Sequence, residues 1–151
     1  MDRLTVSIDI GSPVREVFNY VAEQRNYTSW CPGLSSRELT SDGLMEVGAA
    51  KPMTRSEMGM NFNWEFVCHE HDPPSRMVWH SDNDHRMRMT DMLDFAEESG
   101  GARLVHHLDM ELRGFLKWVK PLTLGKGRKT MMSDHVHLKE IMEDRKGANA
   151  I

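Results

Sequence analysis

The sequence predicts an α+β domain in which a curved antiparallel sheet of seven strands wraps a long C-terminal helix, with two short helices after the first strand. Three observations carry this. The chain opens on a cleanly alternating segment at 4–10, period-two patterning runs almost unbroken from about 35 to 112, and helical spacing takes over from Leu124 to Met142. A sheet with one apolar face and a helix with one apolar stripe must bury them against each other. The space between them is the expected apolar pocket.

Taken in order, Leu4, Val6, Ile8 and Ile10 alternate with Thr5, Ser7 and Asp9, the pattern of a half-buried strand. Gly11 ends it. Ser12-Pro13 reads as an N-cap followed by proline at the first helical position, and Val14, Val17, Phe18 and Val21 give a short helix one apolar stripe. Tyr27 and Trp30 fall on a second short helix or turn that ends at Cys31-Pro32-Gly33. Weak strands follow near 35–41 and 46–57, then a strong one in which Met58, Met60, Phe62, Trp64, Phe66 and Cys68 share a face. Strands at 76–81, 86–97 and 102–112 are separated by turns at Asp82-Asn83-Asp84 and Ser99-Gly100-Gly101. Sequential hairpins of this kind make the sheet antiparallel. In the last helix Leu124, Met131, His135, Leu138 and Met142 form the apolar stripe, with Asp134, Lys139, Glu140 and Glu143 opposite.

Composition narrows the class. A chain of 151 residues fits one domain, expected at 1–145 with a flexible tail at 146–151. A net charge of −4 argues against a nucleic-acid binder. The charge is uneven, because Arg113, Lys117, Lys120, Lys126, Arg128 and Lys129 fall in an interval without any acidic residue. That stretch reads either as a solvated helix approach or as a contact surface for an anionic head group or membrane lipid. Two cysteines make no disulfide framework, and no apolar run is long enough to span a bilayer, so the expected location is the cytoplasm.

The opening Val6-Ser-Ile-Asp-Ile-Gly-Ser-Pro-Val-Arg-Glu-Val-Phe-Asn-Tyr-Val21, with Asn26-Tyr-Thr-Ser-Trp30, resembles the start of START-like (SRPBCC) domains of the polyketide cyclase/dehydrase and lipid transport group. The Gly100-Gly-Ala-Arg-Leu-Val105 turn and Leu138-Lys-Glu-Ile-Met-Glu143 are similar to that group's last hairpin and helix end. The resemblance implies the helix-grip (START-like, Bet v-like) fold with a deep hydrophobic cavity. It departs from the aromatase/cyclases after Trp30, where Cys31-Pro32-Gly33-Leu34-Ser35 stands in place of their motif. Tyr27, Trp30, Cys31 and Ser36 loosely echo a coenzyme Q-binding subgroup.

The inward face follows from alternation. A hairpin turning at Ser99-Gly100 pairs Phe95 with Leu104, Leu93 with His106, Asp91 with Leu108 and Met89 with Met110. A turn at 82–84 would set Trp79 against Met87 and Met77 against Met89. Asp91 and His106 are thus polar among apolar neighbours, diagonal on adjacent strands. They read either as an orienting carboxylate with an imidazole acid/base or as a polar pair that satisfies itself. The expected cavity lining is Trp30, Met60, Phe62, Trp64, Trp79, Met87, Met89, Phe95, Leu108, Met110, Trp118, Met131 and His135. Unbranched, polarizable methionine suits a pocket that adapts to its ligand. The histidines lack metal-ligand spacing, so neither a metal nor a cofactor is expected. The expected role is binding or transport of a polyketide-like or lipid-like molecule, with a cofactor-free cyclase/dehydratase as the alternative. Peripheral membrane contact and a homodimer are further options for partners.

Overall fold

The computed structural model describes residues 2–31, 34–36, 47–48, 50–57, 60–83 and 87–149. Seven strands, β1 (Asp2–Ile10), β2 (Leu34–Ser36), β3 (Ala50–Glu57), β4 (Met60–Asp72), β5 (Arg76–Asn83), β6 (Met87–Glu98) and β7 (Gly101–Leu112), form one sheet in the order β1-β7-β6-β5-β4-β3-β2. Every neighbouring pair is antiparallel. The α-helices are α1 (Val14–Ala22), α2 (Tyr27–Trp30), α3 (Phe115–Trp118) and α4 (Lys120–Asn149), and a 3₁₀ turn at Gln24–Asn26 leads into α2.

The β6–β7 register is the one alternation predicts: Phe95 faces Leu104, Leu93 His106, Asp91 Leu108 and Met89 Met110. The β5–β6 register differs. Trp79 pairs with Asp91 and Met77 with Leu93, not with Met87 and Met89. The cause is that β5 runs on to Asn83, which pairs with Met87, so the chain reverses later than the Asp82-Asn83-Asp84 turn supposes. The displacement is an even number of residues, so the faces are unchanged: Met77, Trp79 and Ser81 stay buried, opposite Leu93, Asp91 and Met89. Along β4, Trp64, Phe66 and Cys68 are buried, and a bulge between Cys68 and Glu70 then interrupts the ladder. Met58 lies outside the described residues.

Pro13, with ψ at 140°, occupies the cap position of α1 rather than its first turn, and Ser12 makes no capping bond to the backbone. Buried Val17, Phe18 and Val21 pack this helix onto the sheet, with the Phe18 ring edge-on to Phe95 at 5.0 Å. Together with Ile10, Leu93, Leu104 and Leu138 they fill the half of the molecule near the Ser99-Gly100 turn without solvent access.

α4 runs straight through Gly125 and Gly127, and its backbone stays helical to Asn149, beyond the start of the tail expected from composition. It lies alongside β1. Lys120 pairs with Asp2 at 2.7 Å, Lys139 donates to the Asp9 carbonyl at 2.8 Å, and the Gly11 amide donates to Glu143 at 2.8 Å. The 23 helical steps from Lys120 to Glu143 span about 34 Å and the nine extended steps from Asp2 to Gly11 about 30 Å, so the two elements keep step. At Gly127 a Cβ would stand 3.3 Å from Leu4 Cδ1, so the missing side chain permits the close approach. Asp134, expected on the solvent side, is buried at 6% exposure. It sits three residues after Met131 and four before Leu138, which places it on the inward face whatever its polarity.

Candidate functional site

Farther from the Ser99-Gly100 turn, the same sheet face and the first half of α4 part to leave a cavity of about 150 Å³. Tyr27 and Trp30 come from α2, Trp64 and Phe66 from β4, and Trp79 from β5. Met87, Met89 and Asp91 of β6 and His106, Leu108 and Met110 of β7 form the floor, and Thr123, Lys126, Gly127, Thr130, Met131, Asp134 and His135 of α4 the opposite wall. The Tyr27 ring meets Trp30 at 5.5 Å and Trp79 at 5.0 Å, both edge-on, a geometry favourable to aromatic quadrupoles.

A chain of hydrogen bonds crosses the wall. His135 Nδ1 lies 2.7 Å from the Met131 carbonyl, His135 Nε2 lies 3.2 Å from His106 Nδ1, and His106 Nε2 lies 2.7 Å from Asp91 Oδ1. The direction of the chain is fixed at its helical end. A carbonyl only accepts, so His135 Nδ1 carries a hydrogen and donates it. Burial, helped by the neighbouring His106 and opposed by the Met131 carbonyl, pushes the His135 pKa down to about 3, so this ring is neutral and its Nε2 accepts. His106 Nδ1 must then be the donor to it. The remaining bond joins His106 Nε2 to Asp91 Oδ1, a buried imidazole–carboxyl contact. Both His106 nitrogens are engaged, whereas Asp91 Oδ2 makes no hydrogen bond within the protein.

A family model described as polyketide cyclase / dehydrase and lipid transport matches residues 1–138. The chain belongs to this family. Among curated proteins none matches the sequence. Solved structures share the fold at low identity. A Thermus thermophilus protein, TTHA0849, is 18% identical with a TM-score of 0.79, over 95% of this chain and 99% of that one. Protein CV1439 of Chromobacterium violaceum is 16% identical with a TM-score of 0.72, over 93% and 96%. Ara h 8.0201 is 11% identical with a TM-score of 0.64, over 91% and 97%. The family suggests binding of a hydrophobic ligand or a cyclase-like function, and the choice between them falls to the side chains of the site.

The cavity brings together most of the residues expected from alternation, with Asp91 beside His106. Two do not line it. Phe95 packs with Phe18 in the solid half of the core, because its partner Leu104 lies next to the hairpin turn, where α1 covers the sheet. Trp118 is 86% exposed, and Leu116, two residues earlier on α3, turns inward in its place. Two residues along a helix rotate the side chain by about 200°. The side chains of Met60 and Phe62 lie outside the described set. Not expected among the lining were Tyr27, Cys31, Phe66, Thr123, Lys126, Gly127, Thr130 and Asp134. Phe66 carried a signal in its place on the β4 alternation; the α4 residues carried one in their spacing from Met131 and His135.

Proposed function

We propose that the chain binds a compact hydrophobic molecule carrying hydrogen-bond-accepting oxygens, closer to a substituted aromatic or small polyketide than to a long-chain lipid. One observation carries this reading. Tyr27 OH, Trp30 Nε1 and Trp79 Nε1 are buried with no partner among the described residues, and all three residues line this same cavity. An indole N–H can only donate. Burial pushes the Tyr27 phenol well above its usual pKa, so it too keeps its hydrogen. A buried donor left unpaired costs about 1–3 kcal/mol, and a carbonyl, quinone or ether oxygen would relieve that cost. The volume, about 150 Å³, matches that of a cavity known to hold benzene, and so suits a single substituted ring.

Titration calorimetry with ethylbenzene and its near-isostere acetophenone tests the reading. Acetophenone is expected to bind about tenfold more tightly, as one recovered hydrogen bond implies, and Tyr27→Phe with Trp79→Phe to erase the difference. Equal affinity for the two would overturn the acceptor requirement; no binding of either would overturn the binding role.

The buried His106–Asp91 contact at 2.7 Å favours a second reading, a cofactor-free cyclase/dehydratase acting in the same cavity. Asp91 Oδ2, rather than His106, would meet substrate. The carboxylate takes a proton from carbon and delivers it to the departing hydroxyl, so that a C–H and a C–O bond break, a C=C bond forms and water leaves. His106 holds the carboxylate throughout. In this reading Asp91→Asn lowers turnover of a β-hydroxyketone by about 10²- to 10⁴-fold with binding retained; unchanged turnover in Asp91→Asn and His106→Ala would remove the catalytic role.

A further inference from the structure

α4 is apolar on two sides. Its inward stripe, Gly127, Met131, His135, Leu138 and Met142, faces the sheet. At 3.6 residues per turn Leu122, Lys129, Met132 and Val136 fall on the opposite side, where Leu122 is 65%, Met132 45% and Val136 39% exposed. Just before them, Phe115 and Trp118 on α3 are 68% and 86% exposed. A helix packed on a core by one face normally keeps the other polar, and a contiguous exposed apolar strip marks a contact surface.

The charge around the strip selects the partner. Between Glu111 and Asp134 there are six cations and no acid. Arg113 lies beside Glu111, Lys120 is paired with Asp2 and Arg128 reaches the Thr5 carbonyl at 3.5 Å, whereas Lys117, Lys126 and Lys129 have no ion pair among the described residues. A second copy of the chain would press two faces of like charge together. We propose instead that the outer face of α3 and α4 docks on an anionic lipid bilayer, with Phe115, Trp118 and Leu122 entering the interfacial zone and Lys117 and Lys129 meeting the headgroups. Aromatic and leucine side chains beside lysines are the composition that such surfaces bind. No described helix is long and apolar enough to cross a membrane, so the contact is peripheral. Lys126 is both exposed and part of the cavity lining, so docking sets the rim of the cavity at the lipid interface. The inference goes beyond the ligand reading and holds whichever occupant the cavity takes.

Trp118 makes it measurable, since Trp30, Trp64 and Trp79 are 3%, 3% and 4% exposed and only Trp118 among the four stands in solvent. The full chain is mixed with phosphatidylcholine vesicles with and without phosphatidylserine. Expected are co-sedimentation with the anionic vesicles, a blue shift and acrylamide protection of Trp118, and reversal by added salt. Lys117→Gln with Lys129→Gln should weaken binding by about tenfold, as should Phe115→Ser with Trp118→Ser, while the melting temperature of these surface variants stays near that of the parent. Failure to sediment, equal binding to both vesicle types, or a concentration-dependent dimer that shields Trp118 without lipid would each overturn the proposal.

Discussion

Acidifying the protein from pH 6.5 to 4.5 will remove about 2 kcal/mol of its stability through one residue, His135. In the folded chain this imidazole is pushed down to about 3, first by burial and then by His106; in the unfolded chain it titrates near 6.5. Above pH 6.5 both states hold it neutral and it contributes no pH dependence. Below that, the unfolded state gains a proton that the folded state refuses, so stability falls by about 1.4 kcal/mol for each pH unit until the folded ring titrates. The whole descent amounts to roughly 4–5 kcal/mol, a large part of the roughly 5–15 kcal/mol that separates folded from unfolded domains. Asp9 and Asp109 do not blur the upper part of this window, because Arg103 and Arg3 hold their carboxyls below the usual carboxylate range. Urea midpoints at pH 7, 5.5 and 4.5 give the slope. His135→Gln, which can still accept from His106, should flatten it; an equal slope in both proteins would assign the effect elsewhere.

The second large effect is on packing. Phe18→Ala should cost about 3–5 kcal/mol. Phe18 has no solvent exposure and meets Phe95 of β6 at 5.0 Å and His71 of β4 at 5.4 Å, so truncation opens a void between α1 and the sheet. Guanidinium denaturation would measure it, and a loss below about 1 kcal/mol would show that α1 settles into the gap. Because Phe18 does not line the cavity, the affinity of the folded fraction for acetophenone should not change.

These two residues show what a single sequence can reveal. Phe18 announces itself through the stripe it shares with Val14, Val17 and Val21, since local spacing determines which face is apolar. The β6–β7 register was legible for a similar reason: Ser99 and Gly100 adopt positive φ and fix the turn, and alternation carries the pairing from there. Asp82-Asn83-Asp84 has turn composition too, yet β5 extends through Asn83, because pairing with the neighbouring strand outweighs a local preference. Polarity alone puts Asp134 in solvent, whereas its spacing from Met131 and Leu138 points inward. Tyr27 and Trp118 depend on how short helices are tilted against the sheet, which is decided by contacts far apart in the chain. The diagonal placement of Asp91 and His106 was readable from the strands; that His135 completes the chain depends on how α4 is rotated over them.

The alignment of α4 with β1 has a further consequence, for evolvability. Backbone pairing supplies the frame, while a whole wall of the cavity belongs to one helix clipped along a strand outside it, through Asp2, Asp9 and Gly11. Substitutions at Thr123, Lys126, Thr130 and Met131 can therefore reshape what the cavity accepts while every strand keeps its partner. A fold divided in this way can change clients one helical turn at a time.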